Sequence, residues 1–147
     1  MDPQFEPYSP LHREACLAVF DENCPAFFAP NERADYADFL DGVGADYRVC
    51  LRDGRLVGAF GLMPGAVADE AHLNWILLSP SAQGAGLGRA ILGEVAALAA
   101  ARGVTRVAIA ASHRSAPFFA RFGARELVRT EDGWGPGMHR VDMEWRP

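Results

Sequence analysis

Apolar and polar positions along the chain change period several times, and each change marks an element. Phe5-Glu6-Pro7 reads as a short first strand. From Pro10 to Glu22, the positions of Cys16, Leu17, Val19 and Phe20 have helical spacing, with Ser9 as the N-cap. Residues 23–30 carry prolines and phenylalanines and read as a loop. Asn31 caps a second helix, Glu32 to Gly42, with Tyr36, Phe39 and Leu40 on one side. Tyr47 to Arg52 alternates like a strand, Asp53-Gly54 makes a hairpin turn, and Leu56 to Leu62 is the partner. Residues 70–78 form the next strand. Leu87, Ile91, Val95 and Leu98 share one face of a helix over 87–101, which Gly103 stops. Val104 to Ala111 is a buried strand, and Ser115 to Phe122 a short helix ended by Gly123. Ala124 to Thr130 is a strand, Asp132 to Gly137 a turn region, and Met138 to Trp145 an alternating final strand. The order is β-α-α-β-β-β-α-β-α-β-β. With no repeat, low-complexity tract or linker, it predicts a single domain over 1–147.

Composition narrows the class. Half of the residues are apolar and 22% are charged, as in a soluble globule. No apolar run reaches the roughly 20 residues of a membrane span, and the N-terminus lacks the basic and apolar regions of a secretory signal. Cys16, Cys24 and Cys50 have no metal or disulfide spacing, so they read as reduced thiols, with no metal site, in a cytoplasmic protein. A net charge of −5 argues against a nucleic-acid partner and favours cationic or neutral substrates. All 14 basic side chains are arginine.

The richest signal is Gln83-Gly84-Ala85-Gly86-Leu87-Gly88-Arg89, between the strand 70–78 and the helix 87–101. Strand, glycine-rich turn and helix gather backbone N–H groups at a positive helix end, which binds phosphate oxygens. The spacing excludes two common phosphate loops. A dinucleotide fingerprint needs G-x-G-x-x-G and an acid about 20 residues on. Here the third glycine is misplaced, and residues 103–113 hold no carboxylate. A Walker A loop needs a lysine, and the chain has none.

What remains, Gln83-x-x-Gly86-x-Gly88 after Leu78-Ser79-Pro80, resembles the pyrophosphate-binding signature of the GNAT superfamily of acetyl-CoA-dependent N-acetyltransferases. The element order resembles the whole fold: an α/β (α+β) protein with a mixed, twisted, mostly antiparallel sheet flanked by helices. Its fourth and fifth strands, here His72–Leu78 and Val104–Ala111, splay around the pantetheine arm. The segment 112–124 is also similar to the family's N-x-x-A-x-x-F-Y-x-x-x-G-F. Phe118 and Gly123 fit it. Ser112, Ser115, Phe119 and Ala124 stand where it has Asn, Ala, Tyr and Phe.

The resemblance implies acetyl-CoA as cosubstrate, an amine as acceptor, and direct transfer in a ternary complex. The implied CoA contacts are Leu77, Leu78, Gln83, Gly84, Ala85, Gly86, Leu87, Gly88, Arg89, Ser112 and Phe119. Backbone N–H groups near Leu77 and Leu78 would polarise the thioester oxygen. The family's fourth-strand acid, counted eleven residues back from Gln83, falls on His72. An imidazole of ordinary pKa about 6.5 can accept the amine proton. Glu70 either orients His72 or is the base itself. Asn74, on the same strand face, places a water or the substrate. Phe119 cannot protonate the leaving thiolate. Either CoA leaves as a stabilised thiolate, or Ser112, Ser115 or His113 donates. Acceptor recognition falls to Asp21, Glu22, Cys24, Phe27, Phe28, Tyr36 and Trp134, acids beside aromatics that suit a cationic, partly apolar amine. The loss of the tyrosine leaves one alternative function, a catalytically weak acyl-CoA-binding or regulatory module. The final strand and the aromatics leave room for a homodimer.

Overall fold

The computed structural model describes residues 2–82 and 86–147. In chain order its elements are β1 (Gln4–Pro7), α1 (Arg13–Glu22), α2 (Glu32–Gly42), β2 (Tyr47–Arg52), β3 (Arg55–Pro64), β4 (Glu70–Leu78), α3 (Leu87–Ala101), β5 (Arg106–Ser112), α4 (Ala116–Ala120), β6 (Arg125–Gly135) and β7 (Met138–Trp145). This is the element order that the apolar pattern predicts. The differences lie at the ends. Pro10–His12 is a separate 3-10 turn before α1, and His12 Nδ1 accepts the Ser9 backbone N–H at 3.0 Å. β6 runs on to Gly135, and a register shift between Thr130 and Gly135 absorbs the residues expected to form a turn.

The strands form one seven-stranded sheet in the order β1-β2-β3-β4-β5-β7-β6. All neighbours are antiparallel except β4 and β5, which the α3 crossover joins in parallel. That parallel pairing is short, from Glu70 opposite Arg106 to Leu73 opposite Ile109. Beyond it β4 stays with β3 as far as Leu78, and β5 stays with β7 as far as Ser112. The sheet therefore divides between two strands that each keep a partner on the outer side only.

A bulge sharpens the division. The β3–β4 register passes from Gly61 opposite Asn74 to Ala59 opposite Leu77, so Trp75 and Ile76 together oppose Phe60. Trp75 has φ 45°, a left-handed conformation that costs a bulky residue about 1–3 kcal/mol. Its surroundings hold it there. The Tyr47 hydroxyl donates to the Trp75 carbonyl at 2.6 Å, and the indole lies 4.9 Å from the Tyr36 ring. The bulge also reverses the strand's alternation. Leu73 packs in the apolar cluster under α3, whereas Leu77 packs in the one under α1 and α2. A regular strand would place both on one face.

These two clusters cover the two faces of the sheet. Leu87, Ile91 and Val95 of α3 meet Phe60, Val107 and Ile109 on one side. Leu17 and Phe20 of α1, with Tyr36 and Leu40 of α2, meet Val49 and Ala59 on the other. Each such large side chain contributes about 1.5–3 kcal/mol by burial. Cys16 and Cys50 are core residues whose thiols burial pushes up to about 11, so they stay neutral. Among the described residues no helix is long and apolar enough to cross a membrane, and no group of three or more His, Cys, Asp or Glu could hold a metal.

Candidate active site

The opening between β4 and β5 leads into a cavity of about 1060 Å³. Asn74, Trp75 and Ile76 form one wall and Ala110, Ala111 and Ser112 the other. These are the residues just past the last β4–β5 pair. Leu77 and Leu78 extend the first wall.

At one end the cavity meets the start of α3, through Gly86, Leu87, Gly88 and Arg89. Gly86 is the N-cap with φ 75°, and among the described residues no side chain caps this helix. The first-turn N–H groups are thus left for an anion. Gly88 has a different task from Gly86. A Cβ there would meet Phe118 of α4 at 2.5 and 2.9 Å, so this glycine lets α4 approach α3. Arg89, Arg114 and Arg121 line the same cavity from α3 and from the residues flanking α4. Arg89 and Arg121 lie over the rings of Phe122 and Phe118, at 6.0 and 5.9 Å. Gln83, Gly84 and Ala85, expected to complete the loop, lie outside the described residues.

Phe119 lines the cavity and is 4% exposed, a packing group without a proton to give. Ser112 and Ser115 also line the cavity. The Ser112 hydroxyl donates to Ser115 Oγ at 3.1 Å, and the Ser115 hydroxyl donates to the Ser112 carbonyl at 3.3 Å. His113 is not part of the lining. Its ring sits 4.7 Å from His139 and its Nδ1 accepts the His139 N–H at 3.1 Å. Desolvation, then the neighbouring His139, lowers its pKa.

The strand triplet expected to carry the base is divided by the geometry. Asn74 lines the cavity, and His72 and Glu70 do not. His72 Nε2 lies 3.7 Å from Glu70, which also pairs with Arg106 at 3.2 Å, and the His72 side chain is 46% exposed. Glu70 and His72 lie along the paired stretch of β4, before the strands separate. A face count by period two cannot show where separation starts.

The acceptor group expected from the sequence also divides. Phe27, Phe28 and Trp134 line the cavity. Tyr36 is buried behind Trp75, Asp21 pairs with Arg33 at 2.8 Å, and Glu22 takes the Ser79 hydroxyl at 2.5 Å. Cys24 is half-buried outside the lining. Trp134 is fixed at three points. Its indole N–H donates to the Ala111 carbonyl at 2.9 Å, and its carbonyl accepts from Asn31 Nδ2 at 2.9 Å. Gly135 beside it packs directly on Asn31 and Ala29, with no room for a Cβ. Asn31 is the N-cap residue of α2, as expected, but its side chain makes no cap bond and ties β6 to the start of α2.

One residue of the lining was not anticipated. Glu32, at the first turn of α2, is only 5% exposed and still faces the cavity. Its Oε2 accepts the Ala29 N–H at 2.8 Å, and its Oε1 has no hydrogen bond among the described residues. Burial pushes its carboxyl up to about 7, reinforced by Asp35, while the Ala29 amide opposes the shift. In the sequence it stands only as the first residue of the second helix.

A mixed sheet parts between two parallel strands, beside a glycine-opened helix and three cavity-lining arginines. The description "Acetyltransferase (GNAT) family" matches residues 16–124, and the chain belongs to that family. It is an acyl-CoA-dependent acetyltransferase. Glucosamine 6-phosphate N-acetyltransferase of Trypanosoma brucei brucei is 30% identical over 105 residues, 67% of this chain and 71% of the relative. A crystal structure from Desulfovibrio desulfuricans, described as a GNAT-family acetyltransferase, superposes with TM-score 0.78 over 99% of both chains at 22% identity. An aminoglycoside 6'-N-acetyltransferase complexed with coenzyme A superposes with TM-score 0.74 at 10% identity, over 97% of this chain and 96% of that one.

Proposed function

We propose that this protein moves an acetyl group from acetyl-CoA to a primary amine, with both substrates held in the cavity between β4 and β5. The observation that carries this reading is the separation of the two strands after Leu73 and Ile109, directly beside the uncapped start of α3. The start of α3 and Arg89 take the pyrophosphate. The pantetheine arm lies between the strands, where one-sided pairing leaves backbone groups to bind its amides. The thioester then reaches Ser112 and Phe119, and the Leu77–Leu78 backbone polarises its oxygen.

The thiolate leaves beside the Ser112–Ser115 pair, which supplies hydroxyl donors where the family's tyrosine is absent. A thiol of ordinary pKa about 8.5 needs only modest help to depart near neutral pH. The match to a crystal structure with coenzyme A supports the cosubstrate. A domain spanning 1–147, a cytoplasmic setting and a homodimer remain parts of the same proposal.

The test is CoA titration of wild type and Gly86→Val, with amine-dependent thiol release followed in parallel. The variant is expected to lose at least tenfold in CoA affinity, about 1.4 kcal/mol, while keeping its fold. Unchanged affinity in the folded variant would take the phosphates away from α3.

A further inference from the structure

The cavity is electrically lopsided. Its arginines all come from α3 and from the residues flanking α4, where the proposed thioester's phosphates are held. On the other side, the α1–α2 connection, α2, β4 and β6 supply Phe27, Phe28, Trp75 and Trp134, and among the described residues the only charged side chain they add to the lining is Glu32. An almost fully buried carboxylate with one unbonded oxygen is costly unless a cation or a donor meets it. Arg140 already lies over the Trp134 ring at 5.0 Å, so Phe27, Phe28 and Trp75 are left to offer an apolar surface and ring faces that attract an ammonium.

We propose that Glu32 is the acceptor-side carboxylate: it binds the ammonium of an amine carried on an apolar or aromatic body and removes its proton. This rests on the acetyl-transfer reading above and adds the acceptor class to it. A sugar phosphate or an amino diacid fits this end poorly, since its anion would face Glu32 and, among the described residues, none of the arginines on those elements lines the cavity. The fit thus departs from the substrate named for the trypanosomal relative.

The chemistry balances simply. The ammonium gives one proton to the Glu32 carboxylate and becomes a nucleophile. Its lone pair forms the C–N bond to the thioester carbon, and the C–S bond breaks with its electron pair on sulfur. The nitrogen then loses a second proton, which neutralises the thiolate through the Ser112–Ser115 hydroxyls. Glu32 returns its proton to water. The products are the amide, CoA thiol and one proton. A carboxyl pushed up to about 7 is better matched to this transfer than an ordinary one. The titratable groups that feel its charge are Asp35 on α2 and the Cys24 thiol of the preceding connection, both of its own sign when ionised.

The test compares 2-phenylethylamine, methylamine, glutamate and glucosamine 6-phosphate as acceptors, with acetyl-CoA and either wild type or Glu32→Gln. Wild type is expected to favour 2-phenylethylamine at least tenfold in kcat/KM over each of the others. Glu32→Gln is expected to lose at least a hundredfold with that amine, with KM raised as well as kcat lowered. It should also lose the rise of kcat/KM with pH near 7. Its CoA affinity should stay within twofold of wild type, which shows that the variant is folded. A preference for the sugar phosphate, or a Glu32→Gln enzyme as active as wild type, would overturn the role of Glu32 and leave acetyl transfer standing. CoA binding with no amine accepted would remove the acetyl-transfer reading itself.

Discussion

Replacing Glu32 by glutamine should change how stability depends on pH, whatever the acceptor. In the unfolded chain this carboxyl titrates near its ordinary 4.5, and in the folded protein burial moves it to about 7. Between those values the folded state binds the extra proton. Stability therefore falls as pH rises through that window, the reverse of a salt-bridged acid. A shift from about 4.5 to about 7 corresponds to a loss of roughly 2–3 kcal/mol between pH 5 and pH 8. Glutamine cannot ionise, and its amide oxygen can still accept the Ala29 N–H. Relative to wild type, Glu32→Gln should thus gain roughly 2–3 kcal/mol on going from pH 5 to pH 8. Contributions from titrating groups that do not feel Glu32 cancel in that difference; Asp35 and Cys24, which do, add to it. Urea unfolding of both proteins at the two pH values, with equal slopes, measures it directly. A difference that does not change with pH would show that the folded carboxyl titrates normally and is open to water.

Other perturbations separate the parts of the site. Tyr47→Phe removes the hydrogen bond to the Trp75 carbonyl and should cost about 1–3 kcal/mol, with kcat reduced because the bulge shapes the β4 wall; a stability within experimental error of wild type would show that the bulge does not need it. Phe119→Tyr should keep or raise kcat, and a loss above a hundredfold with intact CoA binding would mean that the contact must stay dry. His72→Ala should leave kcat within about threefold, since His72 lies off the cavity lining; a loss of roughly 10²–10⁴-fold would return the base to β4. Ser112→Ala should slow turnover most at high pH with amines that react fast, where thiolate protonation is hardest; an equal effect at every pH would exclude the serine pair as its donor.

The two faces of the sheet could be traced from apolar spacing because each large side chain buries against one helix layer. α2, β2, β4, α3 and β7 fall where their periods place them. The glycine-opened start of α3 was readable because Gly86 needs a left-handed φ that few other residues tolerate. Gly88 carries the same letter for another reason, the approach of Phe118, which only the tertiary contact reveals. The bulge has no local signature. Tryptophan at φ 45° is imposed by Tyr47 and Tyr36 from distant elements, and it reverses the face of every residue after it on β4. The onset of strand separation is likewise a property of two strands together, so Glu70, His72 and Asn74 looked equivalent. Glu32 was missed because burial, not residue type, makes it unusual. Its neighbour Asn31 ties the start of α2 to Trp134 of β6, a contact between residues far apart in the chain.

The most direct measurement is amine-dependent release of CoA thiol from acetyl-CoA by the intact protein, with the acetylated amine quantified in the same reaction by mass spectrometry. Acetyl transfer between β4 and β5 predicts one amide for each thiol, saturation in both substrates, and loss of both products in Gly86→Val at CoA concentrations that saturate wild type. Saturable CoA binding with no amine-dependent thiol release across primary amines of varied charge and size would contradict it and leave a CoA-binding module without turnover.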